Sequence, residues 1–316
     1  MVVSSLGIVV IGSLNMDMVV RTGRAPGPGE TLFGQSFSLS PGGKGANQAA
    51  AAARLGGEVT MIGRVGQDGF GNEMREIMSQ EQVNIEHISI SKGEATGVAS
   101  IVLEEDGENR IIVVPGANIE LTVADIEALE DVIRQAEIVV LQLEMDMAMS
   151  ERAAAIAHAH GIPVILNPAP ARPLSDELLS HVTYLTPNET EAGVLSGIAV
   201  DSVDTAGEAA RQLLAKGVQN VIVTLGSKGA LIVNEAGTKH VPGFPVQAVD
   251  TVAAGDSFNG ALALQVTRGA TLAEAVSFAN AVGALAVGKP GAIPSLPRLA
   301  EVEKFLQAAS GAGEQK

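Results

Sequence analysis

The chain has no cysteine and no tryptophan, and only 3% of its 316 residues are aromatic. Without cysteine there are no disulfides, no thiolate zinc or iron–sulfur ligands and no cysteine nucleophile. So few rings argue against a base-stacking platform for single-stranded nucleic acid. Basic residues are also scarce: 20 Lys and Arg stand against 36 Asp and Glu, a formal charge of −16. Recognition of a phosphate backbone needs a basic stripe, so no nucleic-acid partner is expected. No apolar run approaches the roughly 18 residues of a membrane span. Met1 to Gly12 lack the basic start and small-residue cleavage site of a signal peptide, so no membrane partner and a soluble, cytoplasmic location are expected.

What is present is enough apolar material, 46%, for a substantial core. Apolar runs at Ile8–Ile11, Val59–Ile62, Ile138–Leu143, Val164–Leu166 and Val221–Thr224 read as strands buried on both faces. Helical periodicity covers Gly45–Leu55, Asn72–Gln82, Val123–Gln135, Glu151–His160 and Ala206–Lys216, then Ser257–Val266, Leu272–Ala286 and Leu299–Ala308. The alternation predicts an α/β fold: a mostly parallel, doubly wound sheet flanked by helices, with ligands outside the carboxyl ends of its strands. Two stretches lack helices. Met18–Arg21 with Leu32–Ser40, and Gly97–Leu103 with Arg110–Val114 turning near Asp106-Gly107, predict a small separate β-sheet that covers a ligand as a lid, the alternative being edge hairpins of the main sheet. The expected organisation is a main domain of residues 1–15, 41–95 and 115–310, a lid of 16–40 and 96–114, and a flexible tail of 311–316.

Four constellations can carry chemistry. Ala253-Ala254-Gly255-Asp256 opens a long apolar helix, where small residues let backbone N–H groups converge on an anion. Asp256 there is either a helix N-cap or a base that takes a proton from an attacking hydroxyl beside bound phosphates. Pro41-Gly42-Gly43-Lys44-Gly45-Ala46-Asn47-Gln48 resembles a phosphate loop but lacks the spacing and the Ser/Thr of the Walker motif. Its alternative is a glycine-rich turn before a helix. Asn15 and Asp17, after the first strand, offer an amide and a carboxylate to a polyol, or else simply form a turn. Asn188 and Glu191 can hold the water shell of Mg²⁺, and Thr224 to Gly229 can lie along a nucleotide, although Glu191 also suits a helix first turn. No dinucleotide fingerprint, zinc-protease motif or serine-hydrolase elbow occurs, which argues against a nicotinamide dehydrogenase and both hydrolase chemistries.

The order of these motifs, together with Leu141-Gln142-Leu143-Glu144, Asn167-Pro168-Ala169-Pro170 and Thr186-Pro187-Asn188-Glu189-Thr190-Glu191, resembles the ribokinase family of carbohydrate kinases from Gly12 to about Pro297. The resemblance implies ATP-dependent phosphorylation of D-ribose at its 5-hydroxyl. It makes Asp256 the base and the N–H groups of Ala254, Gly255 and Asp256 the anion hole. It puts the sugar on segments Asn15, Met16, Asp17 and Gly43, Lys44, Gly45, Ala46, Asn47, with Glu144. It puts the nucleotide on Asn188, Glu191, Gly255 and Asn280 and on Thr224, Leu225, Gly226, Ser227, Lys228 and Gly229. Cofactors implied are Mg²⁺ and a monovalent cation, K⁺, held by the side chains of Asp250 and Ser295 and the carbonyls of Val252, Ala286, Lys289 and Gly291. A homodimer through the small sheet is implied too. The family pattern usually has Gly at the position of Ala253 and often Thr at Val252, and some relatives carry His at Asn280. Rival readings are a kinase for another polyol (2-deoxyribose, a ketohexose, an acidic deoxy sugar or a nucleoside) and a non-catalytic sugar-responsive regulator.

Overall fold

The structure is a computed structural model that describes residues 6–105 and 108–313. The expected turn at Asp106-Gly107 and the last three residues lie outside them. The alternation of β1 (Ile8–Ile11) explains the architecture. Ile8 and Val10 enter one hydrophobic core, while Val9 and Ile11 enter a second core on the opposite face. A strand buried on both sides has no polar face to show, so it reads as an unbroken apolar run.

The chain then runs through β2 (Asn15–Thr22), β3 (Ser36–Gly42), α1 (Lys44–Arg54), β4 (Val59–Gly66), α2 (Gly69–Gln80) and β5 (Ile88–Ser91). Next come β6 (Gly97–Glu104), β7 (Asn109–Val114), a 3₁₀ turn at Gly116–Glu120, α3 (Val123–Ala128), α4 (Glu130–Arg134) and β8 (Ile138–Leu141). The middle third holds α5 (Met147–Ala159), β9 (Val164–Leu166), α6 (Asp176–Ser180), β10 (Tyr184–Leu185), α7 (Glu189–Ser196) and α8 (Val203–Ala215). It closes with β11 (Asn220–Thr224), β12 (Ala230–Asn234), β13 (Gly237–Val241), α9 (Ala254–Thr267), α10 (Leu272–Ala286) and α11 (Leu299–Gly313).

Nine strands form the main sheet in the order β13-β12-β11-β10-β9-β8-β1-β4-β5. It is parallel from β11 to β5, with β12 and β13 added antiparallel at one edge. Helices α1, α2, α9, α10 and α11 cover one face and α3 to α8 the other. The expected helix over 123–135 is broken at Leu129, whose φ of −104° and ψ of 16° end α3 before α4 begins. The closing helix continues to Gly313, into residues expected to be a loose tail.

The second sheet has the order β3-β2-β6-β7, in which β2 pairs antiparallel with β3 and parallel with β6. Its register sets Asn15 opposite Gly42 and Gly97, and Asp17 opposite Ser40 and Ala99. With a side-chain period of two, Asn15 and Asp17 share a face with Ala99, Ile101, Ile111 and Val113. Among the described residues no helix is long and apolar enough to cross a membrane.

Candidate active site

Two cavities meet at the carboxyl edge of the main sheet. The first, about 340 Å³, lies beneath the small sheet and is lined by Asn15, Asp17, Gly43, Lys44, Asn47, Glu144 and Asp256, among others. The second, about 580 Å³, is lined by Thr224, Gly226, Ser227, Gly229 and Asn280, with Phe244 and Phe258. Asn188, Thr224, Thr251 and Gly255 line both, so the first turn of α9 stands at the junction.

That turn is built to receive an anion. Ala253 has the left-handed φ of 59° and offers no side-chain cap. The Ala254 N–H turns to Thr251 O at 3.3 Å, and the helical ladder starts with Ser257 N–H on Ala253 O at 2.8 Å. Gly255 and Asp256 therefore hold the open amides, and a Cβ at Gly255 would meet nothing within 4 Å. Asp256 is not the N-cap. Its carboxylate is buried and accepts from Asn47 Nδ2 at Oδ2 and from Gln48 Nε2 at Oδ1, both at 2.9 Å. Gln48 in turn accepts from Gln142 Nε2 at 2.7 Å and donates to Asn167 Oδ1 at 3.2 Å.

Small residues make this reach possible. A Cβ on Gly45 would fall 2.6 Å from the Gly12 carbonyl carbon, and one on Gly260 would fall 2.6 Å from Gln48 O. Backbone thus touches backbone between the end of β1 and α1, and between α1 and α9, which carries Asn47 and Gln48 to Asp256.

The side of the first cavity under the small sheet shows unmet hydrogen-bonding capacity. Asn47 Oδ1 is buried without a partner. No described residue donates to the Asp17 carboxylate, and only a glycine at 42 leaves it room, since a Cβ there would lie 2.4 Å from Oδ2. Burial, then the charges of Glu144 and Asp256, push Asp17 up to about 7 against the pull of Lys44. Glu144 uses one oxygen to accept from Ser13 Oγ at 2.6 Å and from the Lys44 N–H at 3.1 Å. Burial works to lower the Lys44 ammonium, but Asp256, Glu144, Glu191 and Asp17 outweigh it and hold the group above its ordinary value. Vacant acceptors and a single firm cation describe a pocket for hydroxyls beside a site for phosphate.

Several expected residues stand apart from the cavities. Met16, Ala46 and Gly45 are buried supports, and Leu225 is buried within the Thr224–Gly229 loop. Lys228 is exposed, 3.9 Å from Glu189. Asn188 and Glu191 do form a reciprocal helix cap, Asn188 Oδ1 accepting from the Glu191 N–H at 2.8 Å and Glu191 Oε2 from the Asn188 N–H at 2.9 Å. Both nevertheless line the first cavity, and burial raises Glu191. Asn280 Nδ2 donates to the carbonyls of Val241 and Pro242 at 3.3 and 3.2 Å, tying α10 to the strand beside the second cavity. The Asp250 carboxylate accepts from the N–H groups of Val252 at 3.0 Å and Gly291 at 2.9 Å, joining the two segments expected to bind a cation. The sequence alone assigns no role to Gln48, Asn118 or Gln142. Gln48 sits in the glycine loop motif and Gln142 two residues before Glu144, so their positions were visible but their partners were not.

An open helix amino terminus between a pocket lined by amides and carboxylates and a second, larger cavity fits a phosphoryl transferase with two substrates. The chain belongs to the pfkB family of carbohydrate kinases, whose model matches residues 5–299. It is 42% identical over 298 residues to a ribokinase of Haemophilus influenzae, covering 94% of this chain and 97% of that one. A deoxyribokinase of Salmonella typhi is 36% identical, covering 95% and 99%. Among solved structures, Arabidopsis thaliana ribokinase complexed with ribose and ATP superposes with a TM-score of 0.89 at 34% identity, over 96% of this chain and 99% of that one.

Proposed function

We propose that the protein transfers the γ-phosphoryl group of ATP to the 5-hydroxyl of D-ribose, with Asp256 as general base. The observation that carries this reading is a buried carboxylate, gripped by two side-chain amides, at the uncapped start of α9 where the two cavities join. Ribose binds under the small sheet against Asn15, Asp17, Gly43, Asn47 and Glu144, and ATP occupies the second cavity. Asp256 accepts the hydroxyl proton as the sugar O–P bond forms and the bond from the γ-phosphorus to the ADP oxygen breaks. The open amides of Gly255 and Asp256, with the Lys44 ammonium, stabilise the charge on the moving group. The small sheet acts as a lid that keeps water from the γ-phosphate.

Mg²⁺ would be held by the nucleotide phosphates and by water bound to Glu191, whose second carboxylate oxygen the helix cap leaves free. For K⁺ the donors fit: one carboxylate (Asp250), one hydroxyl (Ser295, donating to Ala292 O at 2.8 Å) and the carbonyls of Val252, Ala286, Lys289 and Gly291 are hard oxygens on adjacent segments. A cation there would stiffen the loop that leads into Ala253. We also place the enzyme in the cytoplasm, where ATP is supplied, and read it as a homodimer joined through the small sheet.

The 2-deoxyribose reading remains the nearest rival, given the deoxyribokinase relative. The Asn15 amide, which would lose a partner if a hydroxyl were removed, favours ribose. The test is Asp256→Asn with ribose and ATP. Turnover should fall by roughly 10²–10⁴, with the melting temperature retained. Near-normal turnover would remove Asp256 from the reaction.

A further inference from the structure

Asn118, in the 3₁₀ turn after β7, touches neither cavity, yet its side chain is buried and fully committed. Its Oδ1 accepts from the Leu14 N–H at 2.9 Å. The two hydrogens of its Nδ2 are shared among Leu14 O at 3.2 Å, Pro115 O at 2.9 Å and Asn15 Oδ1 at 2.8 Å. The three backbone groups leave no freedom, because a main-chain N–H cannot accept and a carbonyl cannot donate. The amide of Asn118 therefore has one possible orientation, and the atom of Asn15 that meets its Nδ2 must be the oxygen.

The consequence falls on Asn15. With Oδ1 occupied, the end of its amide left without a partner is Nδ2, a donor, and Asn15 lines the sugar cavity. Gly97, opposite Asn15 on β6, keeps the pair together: a Cβ there would lie 2.2 Å from Asn15 Oδ1 and 2.3 Å from Asn118 Nδ2.

We propose that Asn118 is the positioning residue for sugar specificity: it locks the Asn15 amide with its donor toward the pentose, so that the enzyme demands an oxygen acceptor at that point of the ring. This rests on the sugar-kinase reading above. A sugar without that hydroxyl leaves a desolvated N–H unpaired, which is how a polar site rejects a deoxy analogue. Without Asn118's donor the Asn15 amide can turn over or wobble, and the distinction fades.

The test compares kcat/KM for ribose and 2-deoxyribose in the full-length enzyme, in Asn118→Asp, in Asn15→Leu and in the double variant. Asn118→Asp keeps an acceptor for the Leu14 N–H but removes the donor to Asn15. It should cut the ribose-to-deoxyribose ratio at least about tenfold, chiefly through the ribose KM and with the KM for ATP unchanged. In the Asn15→Leu background the same change should move the ratio less than about threefold, because the coupled partner is gone. A purely structural role would instead lower both sugars together and act additively in the double variant, and that result overturns the proposal. Should Asn118→Asp not fold, Gly97→Ala pushes the same contact apart from β6, its Cβ falling also 2.8 Å from Pro115 O, and leaves the acceptor of Asn118 on the Leu14 N–H. A ratio unchanged in that variant also overturns it. An enzyme that does not phosphorylate ribose at all refutes the kinase reading rather than this inference.

Discussion

Asp17 and Asp256 are both largely buried carboxylates in one cavity, and their surroundings differ. Asp256 is satisfied on both oxygens by amides, whereas Asp17 has no donor among the described residues and stands near Asp256 and Glu144. A group held near 7 when folded and near 3.8 when unfolded favours the fold fully only below about pH 4. That contribution fades as pH rises through 7, since above it the folded chain must hold an unpaired, repelled charge. Asp17→Asn removes the penalty, so it should raise the melting temperature clearly at about pH 8 and much less at about pH 5. Equal shifts at both pH values would show that burial does not strain Asp17. The same acid, ionised, accepts two hydroxyls at once, so the KM for ribose should fall as pH rises through about 7 in the parent and lose that dependence in the variant. The cost in stability is the counterpart of acceptors kept free for the proposed sugar.

At the scale of elements, the contact between α1 and α9 decides whether Asp256, the proposed base, is in place. The run Ala49–Ala53 looks like mere helix propensity, but Gly260 shows its use: a Cβ there would also fall 2.8 Å from Ala51 Cβ. Gly260 lies one turn after Asp256 on the same helix. Gly260→Ala should therefore cost about 1–3 kcal/mol by overpacking and lower kcat more than either KM, as Asp256 moves off Asn47 and Gln48. Denaturant unfolding with steady-state kinetics checks both; a variant as stable and active as the parent would mean the helices part freely. Elements of this kind were legible where pattern and burial coincide. Strands Ile8–Ile11 and Val164–Leu166 and helix Leu272–Ala286 begin and end where periodicity puts them, because both faces of the strands are dry. The hairpin of β12 and β13 was not legible, since β13 is exposed apart from Val241. Nor was β10, which has only two residues and owes its pairing to its neighbours. In the site, the motif residues Asn15, Asp17, Asn47 and Asp256 were visible, because small and polar residues break the apolar rhythm at strand ends. The amides that hold them, Gln48 and Asn118, act across 208 and 103 positions of sequence, which no local pattern reports.

At the scale of the whole molecule, the small sheet leaves apolar surface that a lone subunit does not bury. On β7, Ile111 and Val113 face the cavity side and Ile112 and Val114 the other, and all four are exposed, Ile112 by 69%. Phe37 and Leu39 on β3 extend the outer face. An open four-stranded sheet with exposed apolar residues on both faces of its edge strand invites association, and its cavity face already borders the first cavity. Closed pairing of two identical patches is the simplest arrangement that hides them without forming fibres. Replacing Ile111 and Ile112 together by Glu places one charge on each face of β7. The expected outcome is a dimer for the parent and a monomer for the variant by sedimentation equilibrium, with a raised KM for ribose, because Ile111 lines the first cavity and the proposed lid strand loses its support. The second cavity, the proposed nucleotide site, is lined by none of the small sheet, so the KM for ATP should stay within about twofold. A parent that sediments as a monomer, or a charged variant that still dimerises, would locate the association elsewhere. The distinction matters for the chemistry, since a lid braced by a second subunit closes over the pentose with less freedom to lose than one that hangs in solvent.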